Sequence, residues 1–312
     1  MPGENHTHTH RNHHHHQVNE KNLLIATLMN LVITIVEFAG GFLSGSLALL
    51  SDALHNLSDT FATLIAYLAT LIGRRGANQR KTFGYKRLEI LAALVNAVIL
   101  IIISFFLIKE AYERWNNPQP INSMIMMVVA MIGLLANVFA MIILKKDASK
   151  NLNVRAAYVH LIGDSLSSVV VIIGGILIQI FQIPWIDPLI TLLISLYIIR
   201  EAFIILKESA NILMQSAPDY LDLEKIKRKV EQVSQVQNIH HLHAWMLTDH
   251  EIHLEAHVEL EKDLKLSEVK KKQMEIEQLL QQDFRISHVT LQFEYDTNHS
   301  QALIHKEKKQ TG

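Results

Sequence analysis

The chain has 312 residues, 49% of them hydrophobic and 19% charged, with a formal net charge of −1. That charge fraction is low for a water-soluble protein, and the near-neutral balance offers nothing to attract nucleic acid as a partner. Cysteine is absent and histidine is abundant at 18 residues. Disulfides, thiolate metal sites and thiol catalysis are thereby excluded, and copper(I) would have only the ten methionines as soft ligands.

Residues 1–21 form a polar tail carrying His6, His8, His10 and His13 to His16. Without apolar periodicity it is expected to be disordered, and it reads either as a solvated, tag-like tail or as a weak collector of metal ions. No cleavable signal peptide is expected, because the apolar segment that follows is too long. Six apolar segments lie near 22–43, 46–72, 87–110, 123–145, 153–181 and 185–206, and each reaches the roughly 20 residues that cross a bilayer. They define a transmembrane domain over 22–211. Ser44-Gly45-Ser46 and Gln182-Ile183-Pro184 are short connections and imply tight hairpins on one side.

Basic residues orient these spans. The second-to-third connection carries Arg74, Arg75, Arg80, Lys81, Lys86 and Arg87, and the fourth-to-fifth carries Lys145, Lys146, Lys150 and Arg155. The opposite side offers only Lys109 and Arg114. Both termini are therefore expected in the cytoplasm.

Beyond Ala217-Pro218-Asp219 the character changes to that of a soluble domain, over 212–296. Residues 221–234 read as an amphipathic helix and 267–282 as a second one. Ile252, Leu254, Ala256, Val258 and Leu260 alternate with His253, Glu255, His257 and Glu259, which is the pattern of a half-buried strand. The stretch 239–247 is its expected hairpin partner, turning through Thr248 to Glu251. Val289, Leu291 and Phe293 alternate with His288, Thr290, Gln292 and Glu294 in a last strand. The order α-β-β-α-β describes a small α+β domain with helices on one face of a sheet. Residues 297–312 read as a polar tail.

Two patterns inside the apolar segments carry the chemistry. The second holds Asp52-Ala53-Leu54-His55-Asn56-Leu57-Ser58-Asp59, and the fifth holds His160-Leu161-Ile162-Gly163-Asp164. A His followed four residues later by an Asp places imidazole and carboxylate on one helical face, one turn apart. Ionisable groups inside a bilayer are costly and mark function. His55, Asp59, His160 and Asp164 make a full donor set for a tetrahedral divalent ion, with borderline-soft nitrogen that suits zinc. The plainer alternative is a pair of hydrogen-bonded His–Asp links between helices, and the repetition of the spacing disfavours it. Imidazole must be neutral to bind metal, so metal and protons compete for His55 and His160, and exchange of one for the other follows. Asp52 shares the stripe of His55 and Asp59 and is a candidate helper. Glu37, seven residues from Asn30 on the first span, is a second candidate helper.

These motifs resemble those of the cation diffusion facilitator family. The resemblance rests on Ser51 to Asp59, on Phe83-Gly84-Tyr85-Lys86-Arg87-Leu88-Glu89, on His160 to Asp164 and on Trp185-Ile186-Asp187-Pro188. It covers about residues 20–296 and is strongest to the family's bacterial zinc exporters. It implies six spans and a ferredoxin-like, metallochaperone-like cytoplasmic domain. It further implies a homodimer in the inner membrane, and zinc efflux by alternating access coupled to proton entry. The transport site is carried onto His55, Asp59, His160 and Asp164. Some relatives place a His-containing site between the second and third spans; residues 73–87 hold no His, and no site is expected there.

The same resemblance implies zinc bound in the cytoplasmic domain by His240, His257 and Glu294. His241 or His243 could face the same way as His240, and Gln292 and Lys270 stand where some relatives have His. Zinc there would be regulatory, drawing two protomers together. Cadmium, cobalt, nickel or manganese are alternative cargoes. A membrane metal sensor is a further alternative. An intramembrane metalloenzyme is disfavoured by four donors closing the site and by the lack of a His-Glu-x-x-His motif.

Overall fold

Six long helices open the chain: α1 (Glu20–Ser44), α2 (Leu47–Gly73), α3 (Leu88–Asn116), α4 (Ser123–Ala148), α5 (Leu152–Phe181) and α6 (Ile186–Leu213). The structure, a computed structural model, describes residues 20–73, 76–148, 152–296 and 302–303. The histidine-rich tail, apart from its last two residues, lies outside the described residues. So does the polar tail at 297–312, apart from 302 and 303. The third and sixth helices run past the expected ends at 110 and 206. In α3 the reason is visible: Lys109–Glu113 and Arg114–Glu110 pairs, four residues apart, carry the helix beyond its apolar run.

Among the described residues, four helices are long and apolar enough to cross a membrane, those within Leu88–Asn116, Ser123–Lys145, Ala157–Phe181 and Ile186–Leu213. The first two helices were expected to cross as well, and at 25 and 27 residues both are long enough. In α2, Ser51, Asp52, His55, Asn56, Ser58, Asp59 and Thr60 interrupt the apolar run; in α1, among the described residues, Leu28–Ser44 forms a shorter apolar stretch. Large apolar side chains such as Val32, Phe106, Leu135, Ile142 and Ile180 lie exposed on the helices, as a lipid-facing surface requires.

The chain divides into two compact units, one of residues up to 61 together with 100–200, the other of residues 62–99 together with those from 201 onward. In the first, α4 packs against α1 and α5. Ala48, Leu49, Met126, Ala130 and Val171 are buried together. Small residues let the helices close up: a Cβ at Gly40 would stand 2.7 Å from Val129.

The start of α2 is tied from several sides. Gly45 adopts φ +71° in the turn from α1, a left-handed conformation that glycine takes without a side-chain clash. Asp187, at the start of α6, accepts from Ser46 Oγ at 2.5 Å, Leu47 N at 2.8 Å and Ala48 N at 3.2 Å. It thus caps the first turn of α2 with a carboxylate, where the helix dipole favours negative charge. Arg114 donates to the Gly45 carbonyl, and Asn122 N donates to the Ser44 carbonyl. Trp115, next to Arg114, and Trp185, two residues before Asp187, rest together at 5.6 Å, as in an interfacial aromatic belt.

In the second unit, α7 (Leu223–Val230), β1 (Val236–Met246), β2 (Ile252–Leu260), α8 (Leu266–Phe284) and β3 (His288–Tyr295) follow in the expected α-β-β-α-β order. The first helix is shorter than the 221–234 expected, because Asp222 caps it through Lys225 N and the chain turns after Val230. The sheet order is β1-β2-β3, antiparallel then parallel. Ile226 and Val230 of α7 and Ile276 and Leu280 of α8 pack on Ile239, Leu254, Ala256 and Val258. That leaves the other face of β2 and β3 to His and Glu. In the segment before α3, Lys86 meets both carboxylate oxygens of Glu251 at 2.7 and 2.6 Å, and the Phe83 ring meets His253 edge-on.

Candidate metal centres

The helical periodicity of α2 brings His55 and Asp59 to one side, one turn apart, and α5 does the same for His160 and Asp164. The four side chains converge. Asp59 Oδ2 stands 3.4 Å from His55 Nε2 and 3.2 Å from His160 Nε2, and Asp164 Oδ2 stands 3.5 Å from His160 Nε2. Donors held about 2.0–2.1 Å from a tetrahedral zinc ion stand about 3.3 Å apart, so the spacing fits such an ion. His55, Asp59 and His160 offer donor atoms that all lie within 4.8 Å of one another. Asp164 lies outside that group of three and stands beside its His160. The site is open on one flank: the His160 side chain is 41% exposed and Asp164 only 3%.

Asp52 and Glu37, the two candidate helpers, sit beside the centre rather than in it. Asp52 is buried and accepts from Ser167 Oγ of α5 at 2.5 Å, linking the two site-bearing helices. Glu37 is fully buried on α1 and accepts from Asn56 Nδ2 at 2.9 Å. A side chain at Gly133 would run into the Glu37 carboxylate, so α4 leaves room for it. Sequence reasoning missed Ser167, Asn56 as the partner of Glu37, and Asp187 as the cap of α2. Ser167 could have been found three residues after Asp164, on the same helical stripe. Ser165 and Ser168 bond back to the carbonyls of Leu161 and Asp164, so these polar residues are satisfied within α5.

A second cluster lies on the polar face of the sheet. His240 and His257 are register partners on β1 and β2, and Glu294 comes from β3. His257 Nδ1 lies 2.8 Å from Glu294 Oε1, and His240 Nε2 lies 3.4 Å from Glu294 Oε2. These three also form a donor group within 4.8 Å. His240 is 1% exposed, an unusual position for an imidazole and one that demands polar neighbours. Gln292 donates to Glu294 at 2.7 Å and so steadies the carboxylate.

Comparison with known proteins places both halves. Residues 23–214 match the cation efflux transmembrane domain, and residues 218–296 match the cation efflux protein cytoplasmic domain. The chain is 40% identical over 289 residues to the cadmium, cobalt and zinc/H(+)-K(+) antiporter of Bacillus subtilis (strain 168), covering 92% of this chain and 93% of the relative. It is 40% identical over 287 residues to the zinc transporter ZitB of Escherichia coli (strain K12), covering 90% and 89%. It is also 40% identical over 276 residues to the metal cation efflux system protein CzcD of Cupriavidus metallidurans, covering 88% and 87%.

Proposed function

The chain belongs to the cation efflux family, and from that premise we propose that it is a multi-pass membrane transporter that expels divalent metal, zinc foremost, in exchange for protons. The observation that carries this is the position of Asp59, whose one carboxylate oxygen faces imidazoles from two different helices at 3.4 and 3.2 Å. A dication there is held by two neutral imidazoles and by carboxylates that offset its charge. When the imidazoles take protons instead, the same carboxylates face imidazolium. Metal and protons therefore displace one another at one site, and a change of exposure from one membrane face to the other turns that competition into antiport. Asp52 and Glu37 are helpers that hold α1, α2 and α5 in place around the donors.

Both termini lie in the cytoplasm, on the side of the basic connections, and the membrane is the bacterial inner membrane. The cytoplasmic domain pairs two protomers. There His240, His257 and Glu294 would hold a zinc ion that supplies fixed positive charge and cross-strand rigidity. The Bacillus relative's name adds cadmium and cobalt, and these are the next cargoes to test. Zinc flux into proteoliposomes under an imposed pH gradient, compared between the native protein and Asp164→Ala, tests the reading. Gradient-driven flux that vanishes in the variant is expected. A native protein that binds zinc but shows no flux would instead make the molecule a membrane metal sensor.

A further inference from the structure

Three donors at the cytoplasmic centre leave one position of a tetrahedral ion to fill. Gln292, the register partner of His257 on β3, is already engaged as a donor to Glu294. We propose that His241 supplies the fourth ligand, so that one protomer closes its own cytoplasmic metal centre. The proposal rests on the reading of His240, His257 and Glu294 as a metal centre.

Strict strand alternation would send His241 to the face opposite His240, among the apolar core residues. The chain does otherwise. The β1–β2 register breaks between His240 and His243, and His241 sits in the left-handed region at φ +49°. A non-glycine residue held there is strained and persists only when its surroundings impose it. Here they do: His241 N donates to the Ala302 carbonyl at 3.2 Å and Leu242 N to the Leu303 carbonyl at 2.8 Å. Ala302 and Leu303 thus pin the irregular stretch along the outer edge of β1. Bulges of this kind re-aim side chains beside functional sites.

The re-aimed ring lands on the metal-binding face. Its centroid is 4.8 Å from that of His257, with the planes 16° apart, and it meets His243 edge-on at 5.1 Å. His257 in turn lies 5.5 Å from His240. The sequence therefore places two adjacent imidazoles, His240 and His241, against the same partner ring, which a regular strand cannot do. In the structure His241 is parked parallel on His257. Ligation requires a side-chain rotation that turns a ring nitrogen from the stack toward the other three donors. His243 is exposed and is not needed to close the set.

The test uses full-length protein and cobalt(II), whose visible absorption bands report coordination number. The signal of this centre is the part of the spectrum that His257→Ala removes, which separates it from the transport site and the histidine-rich tail. His241→Asn is the informative variant, since Asn tolerates a left-handed backbone and preserves the bulge while removing the imidazole. It is expected to weaken cobalt and zinc binding at this centre about tenfold or more, a loss that even outer partners of a metal ligand produce, and to dim the tetrahedral bands. His243→Asn is expected to leave both unchanged. An unaltered spectrum and affinity in His241→Asn would overturn the proposal while leaving the three-donor centre standing. A His257→Ala protein with the full native spectrum would overturn the centre itself, and the proposal with it.

Discussion

The two candidate centres use the same side-chain chemistry and opposite means of assembly. In the membrane, each helix contributes a His and an Asp four residues apart, and the helix itself sets their spacing. In the cytoplasmic sheet, each of the three donors comes from a different strand, 17 and 37 residues apart along the chain, and the register sets the spacing. A centre built from two short helical motifs keeps its donor pairs intact when the helices move against one another. A centre built across three strands holds only while the register holds. The first arrangement suits a cargo that must be released, the second a resident ion.

The largest expected effect falls on the shared carboxylate. Asp59→Ala should reduce zinc flux in proteoliposomes at least about a hundredfold, more than loss of a mere outer partner of a metal ligand would; retention of half the native flux would break the comparison by showing that the two helices do not share an ion. Next is the cap on α2. Asp187→Ala removes three hydrogen bonds to Ser46, Leu47 and Ala48 and should cost about 1–2 kcal/mol of stability, read as a lowered Tm in detergent, with Asp187→Asn recovering part of it.

A third experiment isolates the sheet. His257→Ala should remove one bound ion per protomer in equilibrium dialysis and shift the zinc concentration for half-maximal flux by about fivefold or more, within the range of coupling between separate sites. Unchanged flux at every zinc concentration would reduce the cytoplasmic ion to a structural rivet. The smallest effects lie where the segment before α3 meets the sheet. The Lys86–Glu251 pair is partly exposed, so Glu251→Gln should change stability by less than about 1 kcal/mol. Beside it, burial and then the neighbouring His288, with Lys86 and Arg87 adding, push the His253 imidazole below its ordinary 6.5. The folded state therefore binds fewer protons there than the unfolded chain. Its stability contribution is complete above about pH 6.5 and declines as the pH falls toward the folded value. Hydrogen exchange in β2 at pH 7.5 and 5.5 should show the loss, and His253→Phe should flatten it.

How much of each centre could be read in the sequence follows from the same contrast. The shared facing of His55 with Asp59 and of His160 with Asp164 was legible because helix periodicity converts linear spacing into it. The partners of Asp52 and Glu37 were not, since Ser167 lies 115 residues from Asp52 and Asn56 lies 19 from Glu37. Nothing local pairs them; helix packing does. The soluble α-β-β-α-β order was legible from alternation in β2 and β3. The irregularity in β1 was not, because the rule that reads a strand assigns His241 to the wrong face. The Trp185-Ile186-Asp187-Pro188 motif was visible as a pattern, but its work on α2 depends on a contact across 141 residues.

The ties at Ser44-Gly45-Ser46 carry a practical lesson for anyone who labels this protein. Three-residue turns between helices usually invite epitope tags or fluorophore-bearing cysteines. This one is held by Asp187, Arg114 and Asn122 at once, and an inserted peptide would pull α2 away from all of them. The stretch at 76–82, whose residues are exposed, is the better place for a reporter.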